Sequence, residues 1–171
     1  MIKKLLFILI LSFLVISCGS SKNVNSYKKP KKSTHKSTNS SKKVTIADKI
    51  VWTAVSYKGA PYKYGGTTKR GMDCSGLIYT SFKHRNVQIP RTSRQMYAKG
   101  YQISLGKVKR GDLLFFKTSR KRGNVNHVGL VTSVKNKDIR FIHSSSSSGV
   151  IISSLHTNYW RKAFVKAKRV L

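Results

Sequence analysis

The 171-residue chain contains no glutamate and only four acidic residues, Asp48, Asp73, Asp112 and Asp138, against 35 Lys and Arg, which leaves a formal net charge of +31. So one-sided a balance speaks to solubility and partners rather than to fold. It points to something polyanionic: nucleic acid, an anionic membrane face or an acidic cell-wall polymer. Cysteine is nearly as scarce. Cys18 and Cys74 are the only two, too few for a disulfide scaffold or a four-cysteine zinc site. Long apolar runs are also missing. The one long run, residues 5–16, apolar but for Ser12, is shorter than the roughly 20 residues a bilayer span needs, which excludes a protein of several spans. With 39% apolar residues the chain can still bury the core of one ordinary domain, with little left for a second.

What is there begins with an address. Lys3 and Lys4 precede the apolar run, as in the positive region of a secretory signal. The run ends in Val15-Ile16-Ser17-Cys18-Gly19, which resembles a bacterial lipobox. That resemblance implies a lipoprotein signal peptide over residues 1–17, cleavage before Cys18 and lipidation of the Cys18 thiol, with more than one acyl chain for stable anchoring. An N-terminal lipid would tie the chain to a membrane. Residues 18–43 then form the lipidated cysteine and a basic tether. From residue 19 on, the tether holds eight Lys and no acid, a composition expected to stay disordered because it buries too little to offset chain entropy. Such an arm fits an anionic lipid surface or wall polymer, and equally a solvated spacer. Nucleic acid is not an expected partner: an exported chain rarely meets it, and no nucleic-acid module is visible.

The folded domain is expected over residues 44–171, which still carry 25 basic residues against all four acids. Thr45-Ile46-Ala47-Asp48 fits a capping box, and Ala47, Ile50, Val51, Ala54 and Val55 give an apolar face at helical spacing. Gly59 and Pro61 end that helix. Asp73 is placed to cap a second helix starting at Cys74, with Leu77, Ile78 and Phe82 as its buried face. Thr92-Ser93-Arg94-Gln95 suggests a short third. After Gly111 the texture turns to strands: Leu113–Phe116, Val128–Val134, Ile139–His143, Val150–Ser154 and Ala163–Val170. Helices first and strands later predict an α+β fold, helices packed on an antiparallel sheet of about five strands.

A thiol attacks carbonyl carbon best as thiolate, so a cysteine nucleophile benefits from a lowered pKa. The first turn of a helix supplies part of this through its dipole, and a neighbouring imidazolium supplies more. His127 opens the run Val128–Val131 and His143 closes Phe141-Ile142. Adjacent antiparallel strands would bring the two rings side by side, His127 as base and His143 holding its tautomer. Taken from the residues alone, Cys74 also fits a small buried hydrophobe, each His also fits a structural strand end, and the three together also fit zinc ligands, though without a recognised zinc spacing.

Residues 59–79, GAPYKYGGTTKRGMDCSGLIY, resemble the signature of the NlpC family of cell-wall cysteine peptidases. Further landmarks follow in order: Ile89-Pro90-Arg91-Thr92-Ser93, then Arg110–Phe116, Asn126–Val131 and Phe141–Ser144. Residues 147–154, SSGVIISS, with Tyr159-Trp160, are similar to the lipoprotein branch that holds Gram-negative murein endopeptidases. The resemblance covers residues 46–171. It implies a compact papain-like fold and a Cys-His-His triad with Cys74 as nucleophile, His127 as base and His143 as orienter. It assigns the Cys74 N–H and the Tyr62 hydroxyl to the oxyanion, Asp73 and Ser75 to a free amine of the substrate, and structural roles to Arg91 and Asp112. The function it implies is a peptidoglycan endopeptidase acting on stem-peptide or cross-link amides through an acyl-enzyme. The expected protein is monomeric, needs no metal or organic cofactor, and sits in the bacterial envelope, facing the periplasm from the outer membrane. An acyltransferase of the same superfamily and a non-catalytic wall-binding lipoprotein are the alternatives. Members of the family carry several Glu; this chain has none, so its groove electrostatics are expected to differ.

Overall fold

The computed structural model describes residues 43–119 and 125–171. The expected leader 1–17, Cys18 and the tether up to residue 42 lie outside the described residues. In chain order the elements are α1 (Ile46–Val55), β1 (Thr67–Thr68), β2 (Gly71–Met72), α2 (Cys74–Lys83), α3 (Ser93–Tyr97), β3 (Tyr101–Ile103), a 3₁₀ turn (Leu105–Lys107), β4 (Leu113–Phe116), β5 (His127–Lys135), β6 (Asp138–Ser145), β7 (Gly149–Ser154), α4 (Asn158–Ala163) and β8 (Phe164–Arg169).

Local chemistry starts each long helix where the sequence places it. At α1 the Thr45 hydroxyl accepts the Asp48 N–H at 3.1 Å while the Asp48 carboxylate accepts the Thr45 N–H at 3.0 Å, so two otherwise orphaned donors are satisfied. Ile50, Val51 and Ala54 point inward as predicted. Val55 does not: it is 36% exposed, and Thr53 is buried in its place with its hydroxyl bonded to the Lys49 carbonyl. At α2 the Asp73 carboxylate accepts the Gly76 N–H at 2.6 Å. Thr92 and Gln95 form a second capping box at α3.

Six strands, not five, form the main sheet, in the order β3-β8-β4-β5-β6-β7 with every pair antiparallel. All five predicted strands are present. The sixth, β3, pairs with β8 at the sheet edge; three residues are too few to show a period of two. The six-residue α4 was equally invisible, being too short for a helical face. β1 and β2 form a separate small hairpin.

The sheet is covered on both faces. On one, Leu113, Phe115, Val128, Leu130 and Ile142 pack against Ile50, Leu77, Ile78 and Phe82 of the helices. On the other, Leu114, Phe116, Val131, Phe141 and Ala167 pack with Trp160 and Phe164. This explains why Leu113–Phe116 is buried at every position and shows no alternation in sequence. Burying each such side chain contributes about 1.5–3 kcal/mol, which anchors β4 at the centre of the fold.

Candidate active site

Cys74 is the first residue of α2 and its side chain is half-buried. It opens on a cavity of about 570 Å³ lined also by Tyr62, Asp73, Ser75, Arg91 and Asn126. Burial pushes the thiol up, and the Asp73 carboxylate adds to this. Backbone hydrogen bonding from Val128, Ser75 and Cys74 acts the other way. Burial wins, and the thiol is pushed up to about 11. The expected thiolate at a helix tip is therefore replaced by a neutral S–H at rest.

His127 lies opposite Phe116 in the β4–β5 register, and Leu130 lies opposite Ile142 in the β5–β6 register. Successive side chains alternate faces, so His143 is the diagonal neighbour of His127 on the face of Phe116 and Phe141. His127 Nε2 meets His143 Nδ1 at 3.1 Å. Beyond it, His143 Nε2 meets the Ser153 hydroxyl on β7 at 2.9 Å. Trp160 of α4 covers both rings, stacked on His127 at a centroid distance of 5.4 Å and edge-on to His143 at 4.6 Å. Enclosed in this way, both imidazoles lose water. Burial lowers His127 to about 4; burial and the neighbouring His127 lower His143 to about 3. Both rings are neutral at pH 7.

Asp73 binds more than the helix end. Its carboxylate accepts from Gly65 N–H at 2.8 Å, from Ser75 Oγ at 3.0 Å and from two Arg91 nitrogens at 3.0 and 2.8 Å, besides Gly76 N–H. Arg91 also donates to Ser75 Oγ at 2.9 Å. Asp73 therefore ties together the turn before β1, the start of α2 and the loop before α3. The space is tight: a Cβ at Gly76 would collide with the Gly66 carbonyl oxygen. Tyr62 is 37% exposed, bridges to Met72 and lines the same cavity. Burial, then Cys74 and Asp73, hold its phenol above the ordinary value, so it keeps its proton.

Of the predicted residues, the structure brings Tyr62, Asp73, Cys74 and Ser75 to one cavity and pairs His127 with His143, neither of which is among that cavity's lining residues. Among the described residues no three His, Cys, Asp or Glu side chains converge closely enough to hold a metal ion. A cleft of about 620 Å³ at the start of α1 holds none of these site residues, and its Arg110 and Arg169 are tied to Asp48 and Asp112. Two site neighbours escaped residue-level reasoning. Ser153 was hidden in a serine-rich stretch, and Trp160 carried no periodic signal.

The family model described as NlpC/P60 family matches residues 59–169. The chain is 41% identical over 116 residues to the "Probable endopeptidase NlpC" of Escherichia coli (strain K12), spanning 67% of this chain and 72% of that protein. It is 35% identical over 129 residues to the murein DD-endopeptidase MepS/murein LD-carboxypeptidase of the same strain, spanning 75% of this chain and 65% of that protein. Among solved structures, an NlpC/P60 family protein from Bacillus cereus ATCC 10987 is similar with a TM-score of 0.65 and 31% identity, over 73% of this chain and 40% of that one.

Proposed function

This chain belongs to the NlpC/P60 family, and on that footing we propose that it is a peptidoglycan endopeptidase of the cysteine type, hydrolysing amide bonds of stem peptides or of the cross-links between them. The observation that carries the mechanism is the 3.1 Å pairing of His127 with His143, on strands that pack against the helix bearing Cys74. Since His127 Nε2 is taken by His143, Nδ1 is the nitrogen left for the thiol proton. Cys74 is neutral at rest, so that proton moves to His127 as sulfur attacks the carbonyl carbon. The C–S bond forms, and the oxyanion lies against the Cys74 N–H and the Tyr62 hydroxyl. Collapse breaks the C–N bond, and His127 returns the proton to the leaving amine. Water then attacks the thioester, giving its proton to His127; the acid leaves and the thiol is restored.

Asp73 and Ser75 are assigned to the free amine of the stem peptide. Five donors already occupy the Asp73 carboxylate, so it acts there through its charge rather than through a vacant oxygen. Names of relatives that act on murein support the substrate class. The chain is further proposed to be exported, lipidated at Cys18 and held in the bacterial envelope, facing the periplasm. Fatty-acid label on the chain, lost in Cys18→Ala along with membrane association, is the expected result; a labelled, membrane-bound Cys18→Ala chain refutes this part.

Full chain incubated with purified sacculi is expected to release peptides, and mass analysis of the products identifies the bond cut. Cys74→Ala should abolish release with circular dichroism unchanged. His127→Ala should come close to that, and His143→Ala should retain a trace, because orienting a base contributes less than being one. An active Cys74→Ala chain would refute the mechanism.

A further inference from the structure

We propose that Ser153 is a positioning residue of this site: its hydroxyl oxygen accepts the His143 Nε2–H, and this sets the tautomer of both imidazoles. The inference rests on the assignment of Cys74 and His127 made above. His127, His143 and Ser153 come from three adjacent strands, β5, β6 and β7. They are joined by contacts of 3.1 and 2.9 Å, each holding one proton. Buried and neutral, each ring carries a single N–H, so only two arrangements satisfy both contacts. In the first, Ser153 accepts from His143 Nε2–H, His143 Nδ1 accepts from His127 Nε2–H, and His127 Nδ1 keeps a lone pair for the thiol proton. In the second every proton is reversed. Ser153 then donates, and His127 Nδ1 carries a hydrogen and has no lone pair for the thiol proton.

The surroundings favour the first. The Cys74 sulfur is a weak acceptor, so an imidazole N–H directed at it would go poorly satisfied. In the first arrangement the thiol donates instead. Ser153 is only partly buried, which leaves its own hydrogen free for water. As His127 becomes imidazolium its Nε2–H binds His143 Nδ1 more strongly, and donation from His143 to Ser153 disperses the charge along the row. A hydroxyl at the end of the row does this without adding charge; a carboxylate there would raise the pKa of both rings.

The full chain and its Ser153 variants decide the matter on a soluble muropeptide. Ser153→Ala is expected to lower kcat about 10–100-fold, the range seen when the orienting partner of a metal-bound imidazole is removed, with KM little changed. Ser153→Thr should restore the rate. Ser153→Asp, which only accepts when ionised, should stay active and move the acid limb of the pH–rate profile upward. Nitrogen-15 spectra of histidine-labelled chain should place the His143 hydrogen on Nε2, and Ser153→Ala should mix the tautomers. A Ser153→Ala chain with unchanged kcat, pH profile and tautomer overturns the proposal. So does a folded but inactive Ser153→Asp beside an active Ser153→Thr. If even the unaltered chain cleaves nothing, the hydrolase assignment fails, and the tautomer spectra still judge Ser153.

Discussion

At the scale of single residues, Cys74 and its two histidines show how burial sets protonation. The thiol stands at about 11 and the rings at about 4 and 3, the reverse of a resting thiolate–imidazolium pair. The acid limb of kcat/KM on a soluble muropeptide should therefore fall near pH 4, where His127 protonates, with a level rate through neutrality. A limb near 6.5 would mean that the rings are hydrated. Trp160→Ala admits water to both rings and should move the limb up toward 6.5. Stability carries the same sign. The unfolded chain takes up histidine protons near pH 6.5, while the folded chain resists them until about 4 and 3. Acidification through that window therefore favours unfolding, and the urea midpoint should drop between pH 7 and 4. His127 and Cys74 were legible in the sequence as chemistry; their protonation was not, because it depends on what covers them.

At the scale of elements, capping chemistry made the helices legible. Thr45 with Asp48 and Thr92 with Gln95 are local, three residues apart, and each starts a helix where the pattern says. β3 and α4 were not legible, since their three and six residues are held by pairing with β8 and by packing of Trp160. Gly129 on β5 shows how closely the elements fit. A Cβ there would press into the Phe141 ring, which stacks on Phe116 at 4.9 Å and lies 5.1 Å from the His143 ring. Gly129→Ala is expected to cost about 1–3 kcal/mol in urea denaturation, as overpacking does, and to lower kcat by displacing His143. Gly106→Ala, whose Cβ would meet open space, serves as the control and should change neither.

At the scale of the whole molecule, all four acidic side chains are paired with arginine: Asp48 with Arg110, Asp73 with Arg91, Asp112 with Arg169 and Asp138 with Arg140. Each pair also closes a structural contact. Asp112, for example, accepts the Lys109 N–H at 2.7 Å beside its bidentate Arg169. The few negative side chains are thus each matched by an arginine, and among the described residues no lysine has an acidic partner within ion-pair distance. The field outside is positive. Association of Cys74→Ala chain with intact sacculi should weaken steeply between about 0.1 M and 1 M salt, as the screening length shrinks from ~10 to ~3 Å. For active chain on a soluble muropeptide, KM should rise with salt while kcat holds. Salt-independent binding would show that the charge excess serves solubility alone.

By itself the sequence determined the starts of α1, α2 and α3, the five longer strands, the α+β class and the excess of positive charge, and it pointed to the three residues on which the proposed chemistry is placed. The elements follow from short-range rules of capping and periodicity, which need no knowledge of neighbours across the fold, and the three residues are what the resemblance to the NlpC family implies. Only the tertiary structure decided the sixth strand, the aromatic cover over the imidazoles, the Asp73–Arg91 knot and the contact from His143 to Ser153. All of these join side chains distant along the chain. So does the proton order of the site, because a pKa is set by desolvation, and desolvation exists only once strands and helices have closed around the group.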